Sequence, residues 1–134
     1  MAGSVIVKQL LEAIDDPRLR VDFVWTPIWS TSGLGAAMAT MSVAADPRAR
    51  VWFDATKQLS RGLTRFLDNY SPIWDVYLIY APDAQWHEPS KSPGPPAYME
   101  HQLLTIFKAG WTYLDQDTFE AAIRARLEGL CLPD

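Results

Sequence analysis

Apolar residues recur at helical spacing near the start of the chain. Val5, Ile6, Leu10, Leu11 and Ile14 fall on one side of a helix over 4–14. Ser4 is its expected N-cap. Asp15, Asp16 and Pro17 end it, because a residue before proline avoids the α region. The period then shortens. Residues 19–25 are rich in β-branched and aromatic side chains and read as a strand, with Val21, Phe23 and Trp25 on one face and Asp22 and Val24 on the other. Residues 26–33 carry turn chemistry throughout. The small residues and methionines of 34–45 suit a helix lying close to a sheet, stopped by Asp46 and Pro47.

The second half repeats the alternation. Residues 50–54, RVWFD, read as a strand. Residues 58–67 read as a helix with Leu59, Leu63, Phe66 and Leu67 on one face. Asn69, Tyr70, Ser71 and Pro72 break the chain. Residues 73–80, IWDVYLIY, form the strongest strand signal and are near-continuously apolar, as a strand buried on both faces should be. Residues 81–96 hold five of the ten prolines and read as a long loop, the length associated with function. Residues 98–107 read as a fourth strand. Asp117 and Glu120 resemble a capping box opening a helix that runs to Gly129. No internal repeat or low-complexity segment is expected.

The order is therefore an N-terminal helix followed by β-α-β-α-β-β-α. A β-α-β start demands parallel strands joined by a right-handed crossover, while the last two strands can pair antiparallel. One twisted sheet with helices on both faces would cover every apolar face, giving a single α/β domain over 1–134.

Composition narrows the chemistry. With 134 residues, 49% of them hydrophobic and 21% charged, the chain is long enough and apolar enough to bury a core. Its net charge of −4, without a basic run, argues against nucleic acid as a partner. The apolar stretch from Val5 to Val7 is too short for a signal-peptide core, and no stretch is long enough to span a membrane. A cytoplasmic protein without a membrane partner is the expectation. Cys131 is the single cysteine, so the chain forms no internal disulfide and no zinc site built on several thiolates.

The local sequence resembles the thioredoxin-like superfamily. In that family a Val-Asp-Phe strand is followed shortly by Trp-Cys-Gly-Pro-Cys at a helix start. Here Val21-Asp22-Phe23 is followed by Trp29-Ser30-Thr31-Ser32-Gly33. Pro72, ahead of the strand at 73–80, is the match for the family's cis-proline, although it sits a few residues early. The chain also looks like a set of small uncharacterised bacterial thioredoxin-like proteins. They share a WDVYLIY-type strand, an aromatic-ended loop and a His-Gln-Leu strand, matched here by Trp74 to Tyr80, Trp86, and His101 to Leu103. The resemblance covers residues 19–130. It implies a central four-stranded mixed sheet flanked by helices, with an extra N-terminal helix, and a cleft formed by Trp29, Ser30, Thr31, Ser32 and Gly33 with Pro72, Ile73 and Trp74.

Both cysteines of the family motif are missing, so dithiol exchange is excluded. A helix N-terminus can activate a thiol, but a serine hydroxyl is too weak an acid to ionise without an adjacent base. Ser30, Thr31 or Ser32 is read first as the cap of the helix over 34–45, and second as a retained anion or peptide site. Gly33-Leu34-Gly35 lacks the third position of a dinucleotide fingerprint, where Met38 stands. His87 and His101, with Glu88 or Glu100, match no metal-ligand spacing, and no metal or cofactor is expected. Asp54 is read as a helix cap in preference to a general base. Of the six tryptophans, Trp25, Trp52 and Trp74 lie on expected strands and are assigned to the core, while Trp29 and Trp86 lie on loops and are assigned to a contact surface.

The first functional reading is a redox-inactive module that binds a protein or peptide through the cleft residues and Trp86, with homodimer formation through exposed aromatics as a variant. The alternative is a non-redox enzyme that binds a thiol or anionic small molecule at the helix N-terminus near Ser30.

Overall fold

The computed structural model describes residues 3–27, 33, 38, 45–66, 73–85, 94, 96–102 and 112–130. These form an α/β structure with the helices α1 (Gly3–Ala13), α2 (Gln58–Phe66) and α3 (Gln116–Gly129) and the strands β1 (Val21–Trp25), β2 (Ala49–Phe53), β3 (Val76–Ile79) and β4 (Tyr98–His101). The described strands make two sheets of two strands each. β1 pairs parallel with β2, Val21 beside Ala49 and Trp25 beside Phe53. β3 pairs antiparallel with β4, Val76 beside His101 and Ile79 beside Tyr98. Both directions match the expected ones. The expected helix over 34–45 lies outside the described residues, apart from Met38, which is helical and exposed. Among the described residues no helix is long and apolar enough to cross a membrane.

The chain divides into two compact units, Met1–Phe53 with Gln116–Asp134, and Asp54–Asp115. In the first, the apolar stripes of two helices are buried. Ile6 and Leu10 lie one turn apart on α1, with Leu11 beside them and Ile14 just past the helix end. Phe119, Ile123 and Leu127 recur every four residues on α3. Arg124 reaches back to the carbonyl of Ala13 at 2.6 Å. In the second unit the buried side chains among the described residues are Ser60, Leu63, Ile73, Glu100 and His101.

Several boundaries differ from expectation for local reasons. α1 starts at Gly3, so Ser4 lies inside the first turn and is buried instead of capping. The first strand begins at Val21, two residues late, because Leu19 N–H donates to the carbonyl of Asp16 at 3.2 Å and closes a turn over 16–19. The third begins at Val76 because Asp75 adopts a left-handed backbone with φ 51°, which no strand continues through. All four residues of β3 are half-buried, not fully buried. α3 starts at Gln116, which puts Asp117 in its first turn, and Glu120 accepts from Arg124 Nε at 2.8 Å instead of closing a capping box.

The turn at 16–19 occurs twice. Ala49 N–H donates to the carbonyl of Asp46 at 2.9 Å, as Leu19 does to Asp16. Aspartate at the first position and proline at the second are the residues such a turn favours. In each case the arginine after the proline returns its backbone N–H and its guanidinium to the aspartate, Arg18 to Asp16 and Arg48 to Asp46. The flanking sequence is repeated too. Asp16-Pro17-Arg18, Arg20-Val21 and Phe23 recur as Asp46-Pro47-Arg48, Arg50-Val51 and Phe53. The expectation of no internal repeat is therefore corrected: an eight-residue turn-plus-strand unit is used twice, too short to register as a domain-scale period.

The hydrogen bonds from Arg18 and Arg48 pull the carboxyl groups of Asp16 and Asp46 down from 3.8 to about 2. Folded-state values below the unfolded ones mean that this contribution is complete above pH 3.8 and is lost as the pH falls through about 2. Acid titration of the folding free energy should therefore show a loss across that window, smaller in Arg48→Ala. An unchanged slope in that variant would show that the Asp46 pairing is not its source.

Candidate functional site

Of the residues expected to line a binding site, Trp29, Ser30, Thr31, Ser32, Pro72 and Trp86 lie outside the described residues. Gly33 is exposed, and a Cβ placed there would meet no atom within 4 Å. No close approach of backbone or ligand in the described structure requires a glycine at that position. Ile73 is 2% exposed, and its carbonyl accepts a hydrogen bond from Ser60 Oγ at 2.8 Å. It therefore serves the core of the second unit. Trp74 is half-buried.

Asp54 acts as the cap it was expected to be. Its Oδ1 accepts from Gln58 N–H and its Oδ2 from Leu59 N–H, both at 2.9 Å, so the carboxyl satisfies two of the orphan donors at the start of α2. Lys57, just before the helix, takes a left-handed backbone with φ 59°, the bend that turns the chain from cap to helix.

A polar cluster among the described residues of the second unit was not anticipated. Alternation along β4 puts Tyr98, Glu100 and Gln102 on one face, with Tyr77 of β3 directly across from Glu100. Glu100 has no exposure at all. Its Oε1 accepts from Tyr98 Oη at 2.6 Å and its Oε2 from Asp115 N–H at 3.0 Å. Tyr77 Oη donates to Gln102 Oε1 at 2.8 Å. Burial, reinforced by the Asp75 charge nearby, pushes the Tyr77 phenol well above its ordinary value, so it remains a donor. Burial also raises the Asp75 carboxyl. On the opposite face His101 is fully buried, and its ring meets that of Tyr113 edge-on at 5.7 Å. This arrangement binds strand, turn and the 112–115 segment together. The sequence signal was a charged residue inside a strand flanked by aromatics, which reads equally well as a solvent-facing position.

In the first unit Trp52 departs from the core role expected of it. It is 52% exposed and Phe53 beside it is 36% exposed. The indole Nε1–H of Trp52 donates to Asp22 Oδ1 on the neighbouring strand at 2.7 Å. That bond pins the ring by its polar edge. Phe23 and Trp25 on β1 stay half-buried with ring centroids 6.4 Å apart.

Arg48 was also missed. Its guanidinium donates to the carbonyls of Leu11 at 2.6 Å and of Ile14, while Nε and Nη2 hold Asp46 at 2.9 and 2.7 Å. It caps the negative end of α1 from the turn that feeds β2. In comparisons with known proteins, no family model, no curated protein and no solved structure matches this chain.

Proposed function

We propose that this chain is a redox-inactive thioredoxin-like domain, with a central four-stranded mixed sheet, acting as a protein- or peptide-binding module. The contact is assigned to the segment Trp29, Ser30, Thr31, Ser32 and Gly33, with Pro72, Trp74 and Trp86. The observation that carries the reading is the direction of the two ladders. A parallel pair, β1 with β2, is followed by a helix and then by an antiparallel pair, β3 with β4, with a helix after it. That order and those directions are the ones the resemblance requires. The lone Cys131 supports a non-redox role, because hydroxyls stand where the family's two thiols would be. The same reading makes the chain cytoplasmic, the compartment in which single unpaired cysteines are ordinary.

A random peptide library displayed on a surface, panned against the full chain, tests the assignment. The wild type should select related peptides, and Trp29→Ala should lose them while its stability stays within about 0.5 kcal/mol, as for a surface substitution. Selection that survives Trp29→Ala refutes it. A thermal shift specific to small thiols or anions, absent in Ser30→Ala, would assign the non-redox enzyme in its place.

A further inference from the structure

Within the second unit the period of α2 gathers cations that stand apart in the sequence. Arg61 and Arg65 are four residues apart on the helix. Lys57 stands four before Arg61, and its carbonyl accepts from Arg61 N–H at 3.0 Å. Each is therefore about 6 Å further along the helix axis than the last. The buried residues of α2, Ser60 and Leu63, lie on the other side, where Ser60 Oγ donates to the carbonyl of Ile73. That packing belongs to this unit alone and turns Arg61 and Arg65 away from its core. Both are exposed, and Lys57 is half-buried.

Nothing on the helix neutralises the stripe. The ion pairs among the described residues join Lys8 to Glu12, Arg18 to Asp16, Arg48 to Asp46 and Arg124 to Glu120. Lys57, Arg61 and Arg65 enter none of them. Asp54, the single acidic residue between 54 and 66, has both oxygens engaged by the cap. Like charges four residues apart repel, and cations in the first turn oppose the helix dipole. The arrangement destabilises α2 with no compensation among the described residues.

We infer that this stripe docks an acidic helical segment of a partner protein, one that presents carboxylates at the same four-residue interval. Charge complementarity selects the occupant. A guanidinium takes a carboxylate in a bidentate fork, and a second helix laid along α2 repeats its spacing. An anionic membrane matches less well. A helix lying on a bilayer buries an apolar face in it, and that face of α2 is filled by the core of its own unit. Nucleic acid also matches less well, because so few phosphate contacts bind weakly and the net charge of −4 repels it. The inference does not rest on the cleft residues.

The probe is a fluorescein-labelled, stapled helical peptide with glutamates at i, i+4 and i+8. Its anisotropy should rise to saturation when the full chain is added at low salt, and the affinity should fall as salt is raised. A peptide of the same composition, with its glutamates spread around the helix, should bind about tenfold more weakly. Arg61→Glu combined with Arg65→Glu should weaken the matched peptide by at least about tenfold at an unchanged melting midpoint. If that double variant does not fold, Arg61→Gln and Arg65→Gln taken singly should each weaken it about threefold. Arg50→Glu, which removes an exposed cation on β2, should leave binding unaltered. Trp29→Ala should leave it unaltered too, so this surface and the cleft fail separately. No saturable binding, equal binding of the two peptides, or an equal loss in Arg50→Glu or Trp29→Ala overturns the inference. Tighter binding of phosphatidylserine vesicles or of a single-stranded oligonucleotide through the same two arginines overturns it as well.

Discussion

Arg48→Ala should lower the melting temperature by about 10 °C, the largest effect expected of any single exposed-to-half-buried charge in this chain. The side chain is only 13% exposed and serves two ends of the first unit at once. It fills the acceptor capacity of Asp46 and two of the terminal carbonyls of α1, those of Leu11 and Ile14. Charge-assisted bonds of this kind are worth more than neutral ones, and the helix dipole adds to them. Water can replace part of what is lost, so the net cost is about 3 kcal/mol, and each kcal/mol moves the midpoint of a domain this size by about 3–5 °C. Arg18 supplies the control. It makes the same local bonds to Asp16, but its side chain is 40% exposed. Its replacement by alanine should cost about 0.5 kcal/mol, as exposed pairs usually do. Equal losses in the two variants, measured by calorimetry, would show that the long-range carbonyl bonds contribute nothing. Arg48→Lys keeps the charge without the fork and should fall between.

Glu100→Leu should cost about 2–3 kcal/mol, read as a shift in urea midpoint at unchanged slope. The substitution fits the volume but removes a fully buried carboxylate that accepts from two donors, Tyr98 Oη and Asp115 N–H. Tyr98 is half-buried and Asp115 exposed, so each donor that loses the carboxylate costs about 1–2 kcal/mol, and the added apolar contact offsets part of that. Glu100→Gln should cost only about 1 kcal/mol. The amide oxygen still accepts from Asp115, and the tyrosine hydroxyl can rotate to accept from the amide nitrogen. Amide exchange at Asp115 gives the local readout: faster in the leucine variant, near wild type in the glutamine variant. A leucine variant within about 0.5 kcal/mol of wild type would mean that the two donors find other partners.

Much of the fold could be read along the chain. Periodicity, composition, a continuous apolar run at 73–80 and a cap signal at Asp117 together located all seven described elements, and the β-α-β order required the parallel pairing of β1 with β2. Asp54 was legible as a cap because its partners lie four and five residues away. The errors have a common form. Ser4 and Asp117 missed their capping roles by two residues, the margin within which local signals compete. Trp52 was assigned to the core because a large ring on a strand usually is. Which face of a two-stranded ladder stays open depends on what packs against it, and alternation is silent about that.

What the sequence alone determines is local or compositional. With one cysteine these 134 residues hold no dithiol pair whatever the fold, and Asp-Pro-Arg opens a turn at both 16–18 and 46–48. The tertiary structure decided the roles of Arg48 and Glu100. Arg48 meets carbonyls 34 and 37 residues away, and Glu100 meets an amide 15 residues away. Short-range order follows from backbone sterics and side-chain period, which neighbouring residues specify. A buried polar group takes whichever partner the folded chain brings within 3 Å, and that choice is written only in three dimensions.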